Sequence, residues 1–296
     1  MPDPISKPAE SIQHIAPRVS LRRRITDHFM TGIAVLTVVL VLAPLVVIFA
    51  YLVYRGIGSL NWAFFTQIPK PEGETGGGMA NAIVGSALIL ALGSLIGVPL
   101  GIGAGIYLAE FGRNRFGSAI RFTADVLNGV PSIVIGIVGW AIMVKGHGFS
   151  ALAGGVALAI MMVPTICRTT EEMLHLVPQS LREAAYGLGV PRWRTTLSIV
   201  LRTATSGVIT GVMLAFARVA GETAPLLFTA LGNDYWSLHL DQPSAALPLQ
   251  IYRYALSPYD DFHRQAWAGA LVLIILIVTS VAAVRYAVRR GTFGAA

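Results

Sequence analysis

Arg218 and Glu222 stand four residues apart in the otherwise apolar run Ala217-Arg218-Val219-Ala220-Gly221-Glu222-Thr223-Ala224-Pro225. In a helix that spacing puts both on one face. A charge at mid-bilayer costs about 2.5–3.5 kcal/mol on insertion scales, so each is expected to face protein or a watery path. The Arg218 guanidinium offers a planar fork to an oxyanion, and Glu222 would hold that fork between passages. A purely structural ion pair accounts for the same two residues. Pro225 lacks a backbone donor and is expected to bend or break the helix beyond them.

Arg168 with Glu171 and Glu172 repeats the theme at i, i+3 and i, i+4 spacing. Placed at the end of an apolar run, it reads either as part of an anion route or as a snorkelling arginine with solvated carboxylates. A third constellation runs from Pro178 to Arg194. It predicts a short amphipathic helix from Ser180 to about Gly187–Gly189, a turn at Pro191 and a second helix leading into the membrane. Ala184 and Ala185 are small enough to enter a partner's groove, with Arg182 and Glu183 to orient them. A helix lying on the bilayer, with Trp193 among the headgroups, is the competing account.

Other chemistries find no support. The six histidines and the one cysteine, Cys167, show no metal-ligand spacing and allow no disulfide within the chain. No G-x-x-x-x-G-K-[ST] pattern occurs, so the chain is not expected to bind ATP by a phosphate-cradling loop, or to be an enzyme. The net charge of +7 sits beside apolar runs and not on a soluble basic face, which argues against nucleic acid as a partner.

The elements that must position these residues are membrane spans. The chain is 54% hydrophobic and 12% charged, against about 25% charged in an average soluble domain. Six runs approach the roughly 20 residues needed to cross a bilayer: Phe29 to Tyr54, Met79 to Ala109, Ile120 to Val144, Phe149 to Cys167, Leu197 to Leu231 and Ala266 to Tyr286. The first is too long for the core of a cleavable signal and lacks a small-residue exit, so it reads as a retained span. With the amino terminus inside, sixteen of the 22 Lys and Arg fall on inner segments or at the inner ends of spans and five on outer segments, with Arg218 deep in a span. That bias predicts both termini to be cytoplasmic. The expected organisation is a cytoplasmic tail at 1–28, a six-span all-α membrane domain at 29–290 that includes the inner loop 178–202, and a tail at 291–296.

Gly93, Gly97, Gly101 and Gly105 recur every fourth residue in the second run, a stripe expected to let another helix approach closely. The outer segments Arg55 to Gly78 and Gly232 to Gln265 are either docking surfaces for an external partner or a short interfacial helix and a loop.

Glu183-Ala184-Ala185, Gly189 after three residues, Ile199 after nine more and then Leu201 resemble the EAA loop of ABC-importer permeases, whose bundle is of the MetI-like type. Arg202 departs from the family's usual proline, which leaves the helix entry geometry open. The stretches Glu183 to Arg194, Arg218 to Ala230, Asn128 to Gly136 and Gly76 to Gly85 are more narrowly similar to permeases of phosphate-specific importers, over nearly all of residues 30 to 290.

The resemblance implies a second homologous permease alongside, two ATPase subunits beneath that use ATP and magnesium, and an external phosphate-binding protein above. It implies no cofactor on this chain. It casts Glu183, Ala184, Ala185 and Gly189 as the ATPase-coupling residues and Arg218, Glu222 and Arg168 as residues of the phosphate route. A permease for another oxyanion such as sulfate or molybdate is the nearest alternative. A secondary transporter, of a different class, would carry its own coupling-ion site and often internal repeats, and no convincing repeat is present.

Overall fold

A computed structural model of the chain describes residues 21–293. The expected tails at 1–28 and 291–296 lie mostly outside them, and helix already runs from Leu21 and on to Phe293. Two units divide the chain, Met1–Tyr51 and Leu52–Ala296. The first holds most of α1 (Leu21–Gly56), whose side chains are exposed from Arg22 to Tyr51. A helix apolar on all sides suits lipid or another subunit, not water.

The second unit is a helical bundle. Its elements are α2 (Trp62–Thr66), α3 (Ala80–Phe111), α4 (Arg115–Gly129), α5 (Ser132–Gly139), α6 (Ala151–His175), α7 (Gln179–Gly187), α8 (Arg192–Thr195), α9 (Leu201–Ala220), α10 (Ala224–Thr229), α11 (Leu247–Ala255) and α12 (Asp260–Phe293). π-Helical turns at Trp140–Val144 and Thr196–Val200 extend α5 and join α8 to α9. Among the described residues five helices are long and apolar enough to cross a membrane, or six if one bent pair counts as a span.

That bent pair corrects the expected third span. Ile120 to Val144 is not one rod: α4 and the helix Ser132–Val144 meet at 106°. The cause is local. Pro131 disfavours helical backbone at the residue before it, and Val130 is extended at φ −70°, ψ 131°. The expected fifth span, Leu197 to Leu231, breaks too, with α9 ending at Ala220 and α10 starting at Ala224. The expected fourth span runs on past Cys167 to His175.

The glycine stripe of α3 lies along α6, as its spacing predicts. An added methyl at Gly97 would stand 3.2 Å from Met162 Cβ, at Gly101 2.7 Å from Ile166 Cβ and at Gly105 2.6 Å from Thr170 Cβ. Residue numbers rise together on the two helices, so α3 and α6 are parallel. Parallel neighbours require the chain to be carried back to the starting end, and α4 with α5 makes that return. On its other side α6 meets α9 running the opposite way, with Gly211 against Thr169 and Gly207 against Met173. Leu158, Met162 and Ile166 of α6 are almost fully buried.

At the end where α3 begins, the two long segments expected as outer loops fold over the bundle. Asn61 caps α2 by accepting from the Phe64 amide at 2.8 Å. Gly76 donates its amide to Asp261 Oδ2 at 3.1 Å, while Gln265 donates to the Gly76 carbonyl at 2.9 Å. Gly85 abuts the Ala245 carbonyl, 2.1 Å from where a Cβ would stand. The rings of Tyr254 and Phe262 stack at 4.2 Å.

Gly101→Ala is expected to destabilise the bundle by about 1–3 kcal/mol through overpacking against Ile166. Gly103→Ala, where nothing lies within 4 Å, should be neutral or slightly stabilising. Thermal melts of the two variants in detergent check the contrast.

Candidate functional site

The densest polar cluster is at the end of the bundle where α3 and α6 finish. Glu171, 4% exposed on α6, accepts from Arg121 Nε at 2.7 Å and from Arg168 Nη1 at 3.0 Å. Arg168 also reaches Asp125 at 3.1 Å. Arg121 donates as well to the carbonyls of Gly112 at 2.7 Å and Leu108 at 3.1 Å. A helix leaves its last carbonyls without internal partners, so one guanidinium caps α3 while neutralising a carboxylate on α6. His175 Nε2 stands 3.8 Å from the same carboxylate.

The i, i+3 half of the expected Arg168 constellation is therefore present. The i, i+4 half is not, because Glu172 is exposed and no ion pair joins it to Arg168 among the described residues. Arg121 and Asp125 complete the cluster from α4, and the reading of single segments missed both as partners. Their four-residue separation on an amphipathic helix was the available signal. Nothing local marks Glu171 as the residue Arg121 meets, 50 positions away.

Beyond α6, Pro178 precedes α7 and Pro191 precedes α8, both positions where proline fits a helix start. Gly189 takes φ +77°, a backbone region where a side chain would be strained. The amide of Val190 returns to the Ala185 carbonyl at 3.0 Å. This is the helix, turn and helix expected from the spacing. One expectation changes: Ala185 is 4% exposed and faces its own chain, so of the two alanines only Ala184 is exposed for a partner, together with Glu183. Arg182 also turns inward, pairing with Glu110 of α3 and donating to the Leu174 carbonyl at 3.0 Å. Between α7 and the end of α3 lies a cavity of about 580 Å³ lined by Glu110, Arg113, His175, Gln179, Arg182 and Arg192, among others.

Arg218 and Glu222 are arranged differently from the helical pair their spacing suggests. The helix stops at Ala220, Gly221 is its cap, and the Glu222 amide closes a tight turn on the Val219 carbonyl at 3.1 Å. Pro225 falls in the first turn of α10, where its missing donor costs nothing; the break is at Gly221, before the proline. No ion pair joins Arg218 to Glu222 among the described residues. Arg218 is exposed and Glu222 half-buried. The structural ion pair is thus not formed, and Arg218 is presented on the surface of this single subunit.

Arg168 and Arg218 are not brought together either. Gly211 is level with Thr169 across antiparallel α6 and α9, and seven further residues of helix carry Arg218 about 10 Å deeper into the bundle. The short helices that follow the breaks at Pro131 and Gly221 pack on each other instead: Gly136 of α5 lies against Pro225 of α10, where an added Cβ would be 2.8 Å from its Cα. Thr165 of α6 donates to Asn128 of α4 at 3.0 Å.

A family model described as the inner membrane component of binding-protein-dependent transport systems matches residues 97–292. The chain belongs to that family. Among curated relatives, the phosphate transport system permease protein PstA of Yersinia pestis is 49% identical over 228 residues, covering 76% of this chain and 77% of that one. The Haemophilus influenzae PstA is 44% identical over 258 residues, covering 86% and 91%, and that of Mycobacterium leprae 38% over 283 residues, covering 93% and 92%. In fold, the chain is similar to a chain of the MetNI methionine ABC transporter in inward-facing form, with a TM-score of 0.53 at 19% identity over 71% of this chain and 94% of that one. This permease is accordingly an all-helical, multi-pass protein of the inner membrane.

Within the permease, the buried carboxylate should matter more than its partners. Glu171→Gln removes the buried charge that Arg121 and Arg168 share while leaving each its other partners, and is expected to cost about 1.5–3 kcal/mol. Arg168→Ala, a side chain one third exposed, should cost about 1 kcal/mol or less. Denaturation midpoints of the purified subunit check the order.

Proposed function

We propose that this chain is the transmembrane permease subunit of an ATP-driven importer of inorganic phosphate, forming half of the translocation path. The observation that carries the reading is the 49% identity with a phosphate transport permease over three quarters of both chains. In this reading the other half is a second, homologous permease (PstC-like). Two ATPase subunits (PstB-like) use ATP and magnesium, and an external phosphate-binding protein (PstS-like) delivers the cargo. The chain itself holds no cofactor and catalyses nothing alone.

Lys and Arg concentrate on the segments joined to α7, which supports a cytoplasmic α7 end and both termini inside. Glu183 and Ala184, exposed on α7, then meet the ATPase, with Ala185 and Gly189 shaping the helix from behind. Arg218 is a charge exposed on a helix long and apolar enough to span. Lipid is a poor neighbour for it, so its exposure supports a water-lined path closed by the second permease. There its planar fork receives an oxyanion. Glu222, in the turn beyond α9, and Arg168, two turns closer to the α7 end, complete the proposed route.

Reconstitution with the partner subunits tests the whole reading. Phosphate, and not sulfate or molybdate, should stimulate ATP hydrolysis; stimulation by sulfate or molybdate alone would reassign the cargo, and uptake without an ATPase would reassign the class. Arg218→Gln should abolish phosphate uptake, while Arg218→Lys keeps a fraction, because lysine retains charge but loses the fork. Near-normal uptake by both variants would remove Arg218 from the route. Reversing Glu183 and enlarging Ala184 should uncouple hydrolysis from uptake with membrane insertion intact, as read by uptake assays on vesicles.

A further inference from the structure

α7 has two sides, and only the exposed one is used by the function proposed above. On the buried side Arg182, 9% exposed, makes an ion pair with Glu110 in the last turn of α3 and donates from its other nitrogen to the Leu174 carbonyl near the end of α6. The pair spans 72 residues of sequence, and its two side chains are 11% and 12% exposed. One guanidinium thus holds α7 to both of the parallel helices that form the glycine seam. The main backbone neighbours of α7 are α8 and the π-helical turn at Thr196–Val200, and toward α3 the ion pair found among the described residues is this one. Beside the pair is the cavity of about 580 Å³, space into which an untethered α7 could shift without moving α3.

We propose that Arg182 and Glu110 are the transmission link of this permease: positioning residues that turn displacement of α7 by an ATPase into displacement of α3 and α6 together. The inference rests on the permease reading. A planar guanidinium with one nitrogen on Glu110 and another on the Leu174 carbonyl resists rotation as well as sliding, and a buried pair does not readily separate, because each charge would be left without its charged partner. A push on Glu183 and Ala184 therefore reaches the seam instead of being lost in the cavity. The seam in turn contacts α9, which carries Arg218.

The test uses the complex reconstituted with its ATPase subunits and Arg182→Lys, Arg182→Gln, Glu110→Gln and the exchanged pair Arg182→Glu/Glu110→Arg. Motion of α3 is read without any cargo, as the ATP-driven change in labelling rate of Phe111→Cys by a membrane-impermeant thiol reagent; Cys167, 1% exposed, stays out of reach. The two single Gln variants should retain ATPase binding and hydrolysis and lose roughly tenfold of the labelling change, Arg182→Lys should fall between, and the exchanged pair should recover much of the signal, as coupled residues do in a double-mutant cycle. Gln variants with the wild-type labelling change would overturn the proposal. So would an exchanged pair that recovers the melting temperature but not the labelling change. If a single variant does not fold, the exchanged pair decides: recovery of fold and signal supports the link, and failure to recover either overturns it. Because the signal needs ATP alone, a wild-type complex that shows it but does not respond to phosphate would refute the cargo and leave the link standing.

Discussion

The close approach of α3 and α6 is the constraint on which the rest of the bundle depends. Hydrophobic exclusion does not drive helices together in lipid, so packing at short range must. Gly93, Gly97, Gly101 and Gly105 supply that range, and the first of them sits 3.1 Å, at its would-be Cβ, from the Gly155 carbonyl. Because the two helices are parallel, the segment between them has to recross the bundle. The bend at Val130-Pro131 is how the chain does so while also filling the space beside α10.

The charges follow from that arrangement. Two parallel helices finish at the same end, leaving two sets of carbonyls without partners and two carboxylates, Glu110 and Glu171, near them. Arg121 and Arg182 each answer a carboxylate and a carbonyl at once. This economy ties α4 and α7 to the finish of α3 and α6 and gives these arginines a structural part beside the topological one their count predicts. Arg168 shares in the same cluster. Any part it has in an anion route must compete with Asp125 and Glu171 for its guanidinium.

Arg218 is the contrast. It has the same chemistry, but the helix break at Gly221 separates it from Glu222, and it meets the surface of the subunit. An exposed arginine on an apolar helix is incomplete in a single chain. In the function proposed above, a second permease would turn this surface into the wall of a path.

Several features were legible in the residues alone. Composition and run length implied a membrane bundle, since so few charges cannot cover a soluble surface. The four-residue glycine repeat implied a helix seam, and the Pro, Gly and Pro punctuation from Pro178 to Pro191 implied two short helices with a turn at Pro191. All of these depend on local geometry or on bulk solubility, which neighbouring residues encode. The partners of Arg121, Arg168 and Arg182, the inward turn of Ala185 and the exposure of Arg218 were decided only by the tertiary structure. Each depends on which helix lies alongside which, and on residues as far apart as Glu110 and Arg182. A helical period says which side chains share a face; it does not say what that face meets.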